Sequence, residues 1–353
     1  MPVTEPCYCT REDVQRAPDY KTTARATGKI DRAIQSAARD IDGRMHRVFY
    51  PTDATRYFDW PNFQYAYPWR LWLDQWELAG LPTAVTSGGV AIPLEACNFE
   101  PVNSGPPFTY LELRRDLSYS FGNGPTPQRD IAITGPYGHS MATAPAGQLA
   151  AAISSTTATT VTVSDGSLVG VGDLLIADTE RMLVSGRANT STGQTVLAGL
   201  TTATQADNAI TVADGTQLHA DKVIQVDSER MIILDVTDDT VTVQRAWDGS
   251  VLTTHTVGAT IYAPRLLTVA RGQLGTAAAS HADGLPVSVH RAPSTIRDLA
   301  IAVAVDKVRQ ETGGYTDPQG TGPGAVKALG KALPDLWDAA VEAYGRKARS
   351  RVI

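Results

Sequence analysis

The stretches "VTVSDGSLVGVGDLLIADTERMLV" (161–184) and "ITVADGTQLHADKVIQVDSERMII" (210–233) are one phrase written twice, 49 positions apart and without a gap. Identical positions include Thr162/Thr211, Val163/Val212, Asp165/Asp214, Gly166/Gly215, Asp178/Asp227, Glu180/Glu229, Arg181/Arg230 and Met182/Met231. A second phrase recurs at an offset of 26, as "VTVQRAWDGSVLTTHTVGATI" (241–261) and "LTVARGQLGTAAASHADGLPV" (267–287). It pairs Arg245, Gly249, His255 and Gly258 with Arg271, Gly275, His281 and Gly284. The chain order is opening, opening, closing, closing. That order predicts nesting, with an inner copy over about 205–263 held inside an outer copy made of 150–204 and 265–290. A tandem array with a degraded first closing phrase is the alternative.

Two chemistries compete for the repeated Asp-x-Glu-Arg. On a strand, residues i and i+2 share a face, so each pair of carboxyls stands close together. A retaining glycosidase uses carboxyls about 5–5.5 Å apart. Its two acids ordinarily come from different elements flanking a cleft, one of them in an apolar pocket that keeps its proton. Here Arg181 or Arg230 sits beside each pair, in Thr-rich sequence. His255 and His281 lack a matching nucleophile, and no G-x-S-x-G, P-loop or G-x-G-x-x-G is present. Repeated hairpin and turn chemistry explains the copies better, with Asp-Gly read as the hairpin turn. We expect no enzyme, no catalytic residue and no cofactor.

The three cysteines, Cys7, Cys9 and Cys97, are too few for a disulfide framework and fit a reducing cytosol. A Cys-x-Cys pair with one distant Cys lacks the four ligands of a closed zinc site, so no metal is expected. No run approaches the ~18 apolar residues of a membrane span. The N-terminal "MPVTEPCYCTREDVQ" lacks the basic start and apolar stretch of a secretory signal. The net charge of −6 is uneven: residues 140–290 carry 7 Lys/Arg and 14 Asp/Glu, residues 291–353 carry 10 and 7. The acidic middle disfavours nucleic acid. The basic end, "GRKARSRVI", is read either as a contact for phosphate or an acidic partner, or as a solvated tail.

Outside the repeats, Thr10 and Asp13 have capping-box spacing, as do Thr295 and Asp298. Ile30, Ile34, Ala37, Ile41, Met45 and Val48 predict one apolar helix face, with Asp31, Arg32, Gln35, Arg39 and Asp42 opposite. Of 24 aromatic residues, 11 fall between Phe49 and Trp76. That block fits a sugar platform, a protein interface or the core of a small domain, and Trp69, Trp72 and Trp76 stand at helical spacing. "FTYLELRR" (108–115) alternates as a strand. Ile296, Leu299, Ala300, Val303 and Ala304 predict a second buried stripe, and Leu336, Trp337, Ala340, Val341 and Tyr344 a third.

The element order, with "RYFDW", "PPFTYLEL", "IAITGPYG" and "PSTIRDLAIAVAVDKVR", resembles the head-to-tail adaptor (connector, or head completion) family of long-tailed bacteriophages. The resemblance covers about 10–139 and 292–350; the repeats look like β-modules common in phage structural proteins. The implied fold class is α+β multidomain: a mainly helical adaptor core with a small β element, interrupted by an all-β insertion of two related modules. The boundaries are 1–139 for the N-terminal core, 140–290 for the insertion and 291–353 for the C-terminal helical part. The resemblance implies a virion protein of the neck, assembled in the host cytoplasm as a homo-oligomeric ring, a dodecamer in the family. Its partners would be the portal protein above and a stopper or next neck or tail protein below. Genomic DNA would pass through its channel without sequence-specific binding, and no membrane is involved. By position, portal docking would fall on Leu336, Trp337, Tyr344, Arg346, Lys347, Arg349 and Arg351. Closure of the chain's own core is the alternative use of that helix. A neck or tail module touching host-surface glycans is the alternative function.

Overall fold

The computed structural model describes residues 2–17, 27–61, 67–312 and 332–346. The N-terminal part carries α1 (Arg11–Gln15) and α2 (Thr27–Met45), then β1 (Thr52–Phe58), β2 (Arg70–Trp72), β3 (Ala84–Ser87), β4 (Val90–Ile92), β5 (Cys97–Glu100), β6 (Tyr110–Leu113) and β7 (Ile131–Tyr137). The repeat region adds β8 (Thr143–Gln148), β9 (Thr160–Thr162), β10 (Leu174–Ala177), β11 (Glu180–Thr195), β12 (Ala209–Thr211), β13 (Val223–Val226), β14 (Glu229–Thr237), β15 (Thr240–Gln244), β16 (Thr260–Ala270) and β17 (Pro286–His290). α3 (Ser294–Thr312) and α4 (Ala332–Tyr344) follow.

A mainly helical core is not what forms, and that fold expectation is corrected. Residues 52–137 build two antiparallel sheets, β1-β7-β3-β4 and β2-β6-β5. The described residues hold only four α-helices, and more of them lie in strands than in helices. The tryptophan spacing misled because three residues at steps of three and four also fit a short strand flanked by turns. Leu71 points inward while Arg70 and Trp72 point out, the period of a strand. Phe58, Trp60, Leu71, Leu111, Ile131 and Ile133 form the core between the two sheets.

The helices make a separate core. Ile30, Ile34, Ala37, Ile41 and Met45 are fully buried against Ile296, Leu299 and Ala300 of α3. Val48 lies beyond the helix and is exposed. Asp31 is not on a solvated face: it is buried and receives Arg11 Nε and Nη2, both at 2.8 Å. The Thr10/Asp13 capping box forms, whereas α3 starts at Ser294, so Thr295 lies inside its first turn.

The repeat region forms one ten-stranded sheet, β12-β15-β14-β13-β16-β11-β10-β17-β8, with β9 added on β16. Its two ends meet: Thr143 is the register partner of His290, and Arg291 N–H donates to the Ala142 carbonyl. The chain therefore leaves and returns at one point. Two apolar cores divide the sheet. One gathers Val161, Val163, Leu175, Met182, Leu267 and Val289 (outer module), the other Ile210, Ile224, Met231, Val241 and Ile261 (inner module). β11 and β16 run through both, pairing Leu183 with Ala270 at one end and Thr195 with Thr260 at the other.

The Asp-Gly pairs are not hairpin turns, which is a second correction. Asp165 and Asp214 each cap a 3-10 turn, accepting the N–H of Ser167 and Thr216. Asp is as good an N-cap as a turn residue. The glycine serves close approach: a Cβ at Gly166 would stand 1.6 Å from the Pro264 carbonyl oxygen, and one at Gly215 1.9 Å from that of Asp238. The hairpin turns are the later Asp178-Thr179 and Asp227-Ser228, with Ala177 paired to Glu180 and Val226 to Glu229.

Candidate functional site: a duplicated clasp

Asp178 and Asp227 open their two-residue turns at φ +52° and +50°, a region Asp tolerates better than most residues. The turn sets the following glutamate at the head of its strand, inside the module. Glu180 is 1% exposed and Glu229 0%. Glu180 accepts from Arg271 Nε and Nη2 at 2.7 Å each, from the N–H of Gly272 and Ala279 at 3.0 Å, and from His281 Nε2 at 2.9 Å. His281 Nδ1 reaches Asp178 Oδ2 at 3.0 Å.

The inner copy repeats every contact. Glu229 accepts from Arg245 Nε (3.1 Å) and Nη2 (2.8 Å), from the N–H of Ala246 (2.9 Å) and Thr253 (3.1 Å), and from His255 Nε2 (2.9 Å). His255 Nδ1 lies 2.7 Å from Asp227 Oδ2. The first opening phrase is thus tied to the second closing phrase, and the second opening to the first closing. The arginines also hold carbonyls: Arg271 that of Ser155 at 3.0 Å, Arg245 that of Thr202 at 2.6 Å.

Burial alone would push both glutamate carboxyls up. The arginine, the two backbone N–H groups and the histidine outweigh it and hold each at about 2. A carboxyl so held is a poor general acid, which needs a raised value. Its oxygens are engaged by five donors, so little remains for a substrate or a nucleophilic role. The expected closeness of Asp and Glu on one strand face becomes a histidine bridging a turn carboxylate and a buried one. What the arrangement does is fasten the loops 245–255 and 271–281 to the hairpin tips through charge-assisted bonds in a dry site.

Among the described residues no group of His, Cys, Asp and Glu could hold a metal ion. Cys7, Cys9 and Cys97 are free thiols; burial pushes the Cys97 thiol up to about 11. No described helix is long and apolar enough to cross a membrane.

The proposed docking residues lie at home. Leu336, Trp337 and Tyr344 are half-buried against the chain's own helical core, around the buried Ala340. Arg44 stacks over Trp337 at 4.3 Å, and Phe49 meets Tyr344 edge-on at 5.8 Å. Arg346 donates to the Gln75 carbonyl (2.9 Å) and pairs with Glu77 (3.2 Å). Lys347, Arg349 and Arg351 lie outside the described residues. Val341, expected in the stripe, is exposed.

Sequence reasoning missed the Glu77 junction, where one buried carboxylate also meets Arg47 at 2.8 Å. It missed Lys222, whose buried ammonium sits 2.7 Å from Asp165 and joins the inner module to the outer. The arginine and histidine of the clasps were visible as repeats, but nothing local joins them to their glutamate.

The aromatic block splits. Phe49, Phe58 and Trp60 are buried, while Tyr57, Tyr67 and Trp76 are exposed. Several of these rings carry guanidinium groups: Arg56 over Trp76 at 3.4 Å, Arg115 over Trp69 at 4.6 Å, and Arg70 over Tyr67 at 4.7 Å and Tyr110 at 5.0 Å.

No protein-family model, no curated protein and no solved structure matches the chain.

Proposed function

We propose that the chain is a structural virion protein of the head-to-tail adaptor type, a ring subunit beneath the portal that extends the DNA channel toward the tail. The observation that carries this reading is the convergence of the two segments resembling the adaptor family. Described residues from Val3 to Tyr50 and from Ile296 to Ala340 share one hydrophobic core, joined by Val171 and Leu183 of the repeat region that lies between them in sequence. The chain enters and leaves that region through one pair of neighbouring strands, β8 and β17, and the region packs back on α1 and β1 through Arg187–Glu12 and Arg181–Asp53. An assembly protein can accept such an addition on its outside without disturbing its ring contacts. The clasps support the reading too, since both conspicuous acid pairs serve to hold loops.

With Leu336, Trp337 and Tyr344 turned inward, a portal contact made by α4 would use its outward residues, such as Asp335, Asp338 and Glu342, which are exposed. The glycan reading gains less, because Arg56, Arg70 and Arg115 lie over Trp76, Tyr67 and Trp69, although Tyr57 is exposed. The test is stoichiometric: quantitative mass spectrometry of purified virions should find this chain at one copy per portal subunit. Absence from virions, or the copy number of a tail fibre, contradicts the proposal.

A further inference from the structure

Each clasp sets one histidine between two carboxylates. His281 turns Nδ1 to Asp178 (3.0 Å) and Nε2 to Glu180 (2.9 Å). His255 turns Nδ1 to Asp227 (2.7 Å) and Nε2 to Glu229 (2.9 Å). An ionised carboxylate only accepts, and a neutral imidazole has a single N–H to give. A neutral ring would therefore aim a bare lone pair at one of its two carboxylates. Only the doubly protonated ring makes both bonds.

The charges around the ring agree. His281 is faced by Asp178 and Glu180 from the hairpin and by Arg271, which shares Glu180, from the loop. His255 is faced in the same way by Asp227, Glu229 and Arg245. The third element against His281 is the segment 149–155, which has no charged residue and meets the histidine backbone to backbone at Ile153. Its inner counterpart, 196–207, has only Asp207, whose carboxylate is taken by the N–H groups of Leu200 and Thr202. With the ring protonated, each clasp balances two positive charges against two negative ones. With the ring neutral, one carboxylate has lost its counter-charge. The glutamates are buried, whereas the side chains of Asp178 and Asp227 are 57% and 60% exposed. The turn aspartate is thus the partner that can swing into water.

In the outer copy the loop so closed also seats β1. The Leu274 carbonyl accepts the Asp53 N–H at 2.9 Å. Gly275 comes so near that a Cβ there would stand 1.9 Å from the Asp53 carbonyl oxygen.

We propose that both clasps are gated by a proton: each loop is closed only while its histidine carries both ring protons, and in the outer copy that proton also sets how firmly the repeat region grips β1. The protonated ring is the closed one, so closure belongs to the acid side and is lost as pH rises. The inference rests on the duplicated hydrogen-bond geometry and stands apart from the adaptor reading.

The test is a pH titration of the full-length protein, labelled with 15N at histidine and followed by NMR. Backbone hydrogen exchange is measured at each pH and corrected for the intrinsic rate. Closed clasps show two protonated ring nitrogens at His255 and His281. As pH rises, loss of the second ring proton should coincide with a fall of about tenfold in the protection of the Thr253 and Ala279 amides, the size of one charge-assisted bond. The Asp53 amide should loosen together with Ala279. Asp178→Asn suits the left-handed turn position and offers a side-chain N–H to a bare Nδ1. In that variant Ala279 and Asp53 should keep their protection as pH rises, while Thr253 still loses its own. A single ring proton at every pH at which the chain is folded, ring titration with no change in exchange, or an Asp178→Asn protein that loosens as wild type does overturns the proposal.

Discussion

Glu229→Gln removes one charge from the inner clasp and nearly nothing from its shape. The cost can be worked two ways. A carboxyl held at about 2 instead of its ordinary 4.5 corresponds to about 3 kcal/mol of stability at neutral pH. Removing one partner of a buried ion pair typically costs about 3–5 kcal/mol, because the other charge is left stranded. Here the stranded group is Arg245, itself fully buried. We therefore expect a loss of about 3 kcal/mol in urea denaturation monitored on the inner module. The folded value lies below the unfolded one, so the glutamate's contribution is complete above about pH 4.5 and fades as pH falls toward 2. The difference between wild type and Glu229→Gln should shrink across that window. Native-state hydrogen exchange adds locality. The amides of Ala246 and Thr253 donate to Glu229 and should exchange faster in the variant. Those of Gly272 and Ala279, which donate to Glu180, should not, since the clasps share no partner. A loss below about 1 kcal/mol, the net value of an ordinary hydrogen bond, or faster exchange at all four amides, would refute the reasoning.

Three further outcomes follow from the same contacts. His290 is buried at the root of the repeat region, donating Nε2–H to the Phe49 carbonyl at 3.0 Å, and burial pushes it down to about 4. Its neutral form is the folded one, so stability falls as pH drops from 6.5 toward 4, by about 3 kcal/mol at most. Asp173, pushed up to about 6 by burial, acts with the opposite sign, so the readout is the pH dependence of wild type minus that of His290→Gln. Lys222→Met should cost about 3–5 kcal/mol by stranding Asp165, and adding Asp165→Asn should recover most of it in a double-mutant cycle. Gly215→Ala should destabilise the inner module by several kcal/mol, because its Cβ cannot coexist with the Asp238 carbonyl; calorimetry reads this as an early partial transition.

How much the sequence disclosed depended on the range of each interaction. The α2 stripe from Ile30 to Met45 was legible because a helix writes its buried face at every third or fourth residue. Asp31 was misplaced because its partner, Arg11, sits 20 positions away, outside any local pattern. The sheets of residues 52–137 were largely illegible: β2 and β4 are three residues long, too short to show a period against the coincidence of Trp69, Trp72 and Trp76. The repeats were plain, and so was their order. That order suggested nesting, with a tandem array as the alternative, but the contacts that join each opening to its closing were not legible, because Glu180 and Arg271 stand 91 positions apart. The apolar stripe of Leu336, Trp337 and Tyr344 was equally visible, but a stripe does not say whether its own core or a partner covers it.

The adaptor proposal stands or falls on assembly. Native mass spectrometry of the purified chain, alone and mixed with the portal of the same virus, gives the answer. The proposal predicts a ring-sized complex in at least one of these conditions, weakened when Asp335, Asp338 and Glu342 are replaced together by Lys. A chain that stays monomeric and leaves the portal's mass unchanged contradicts it.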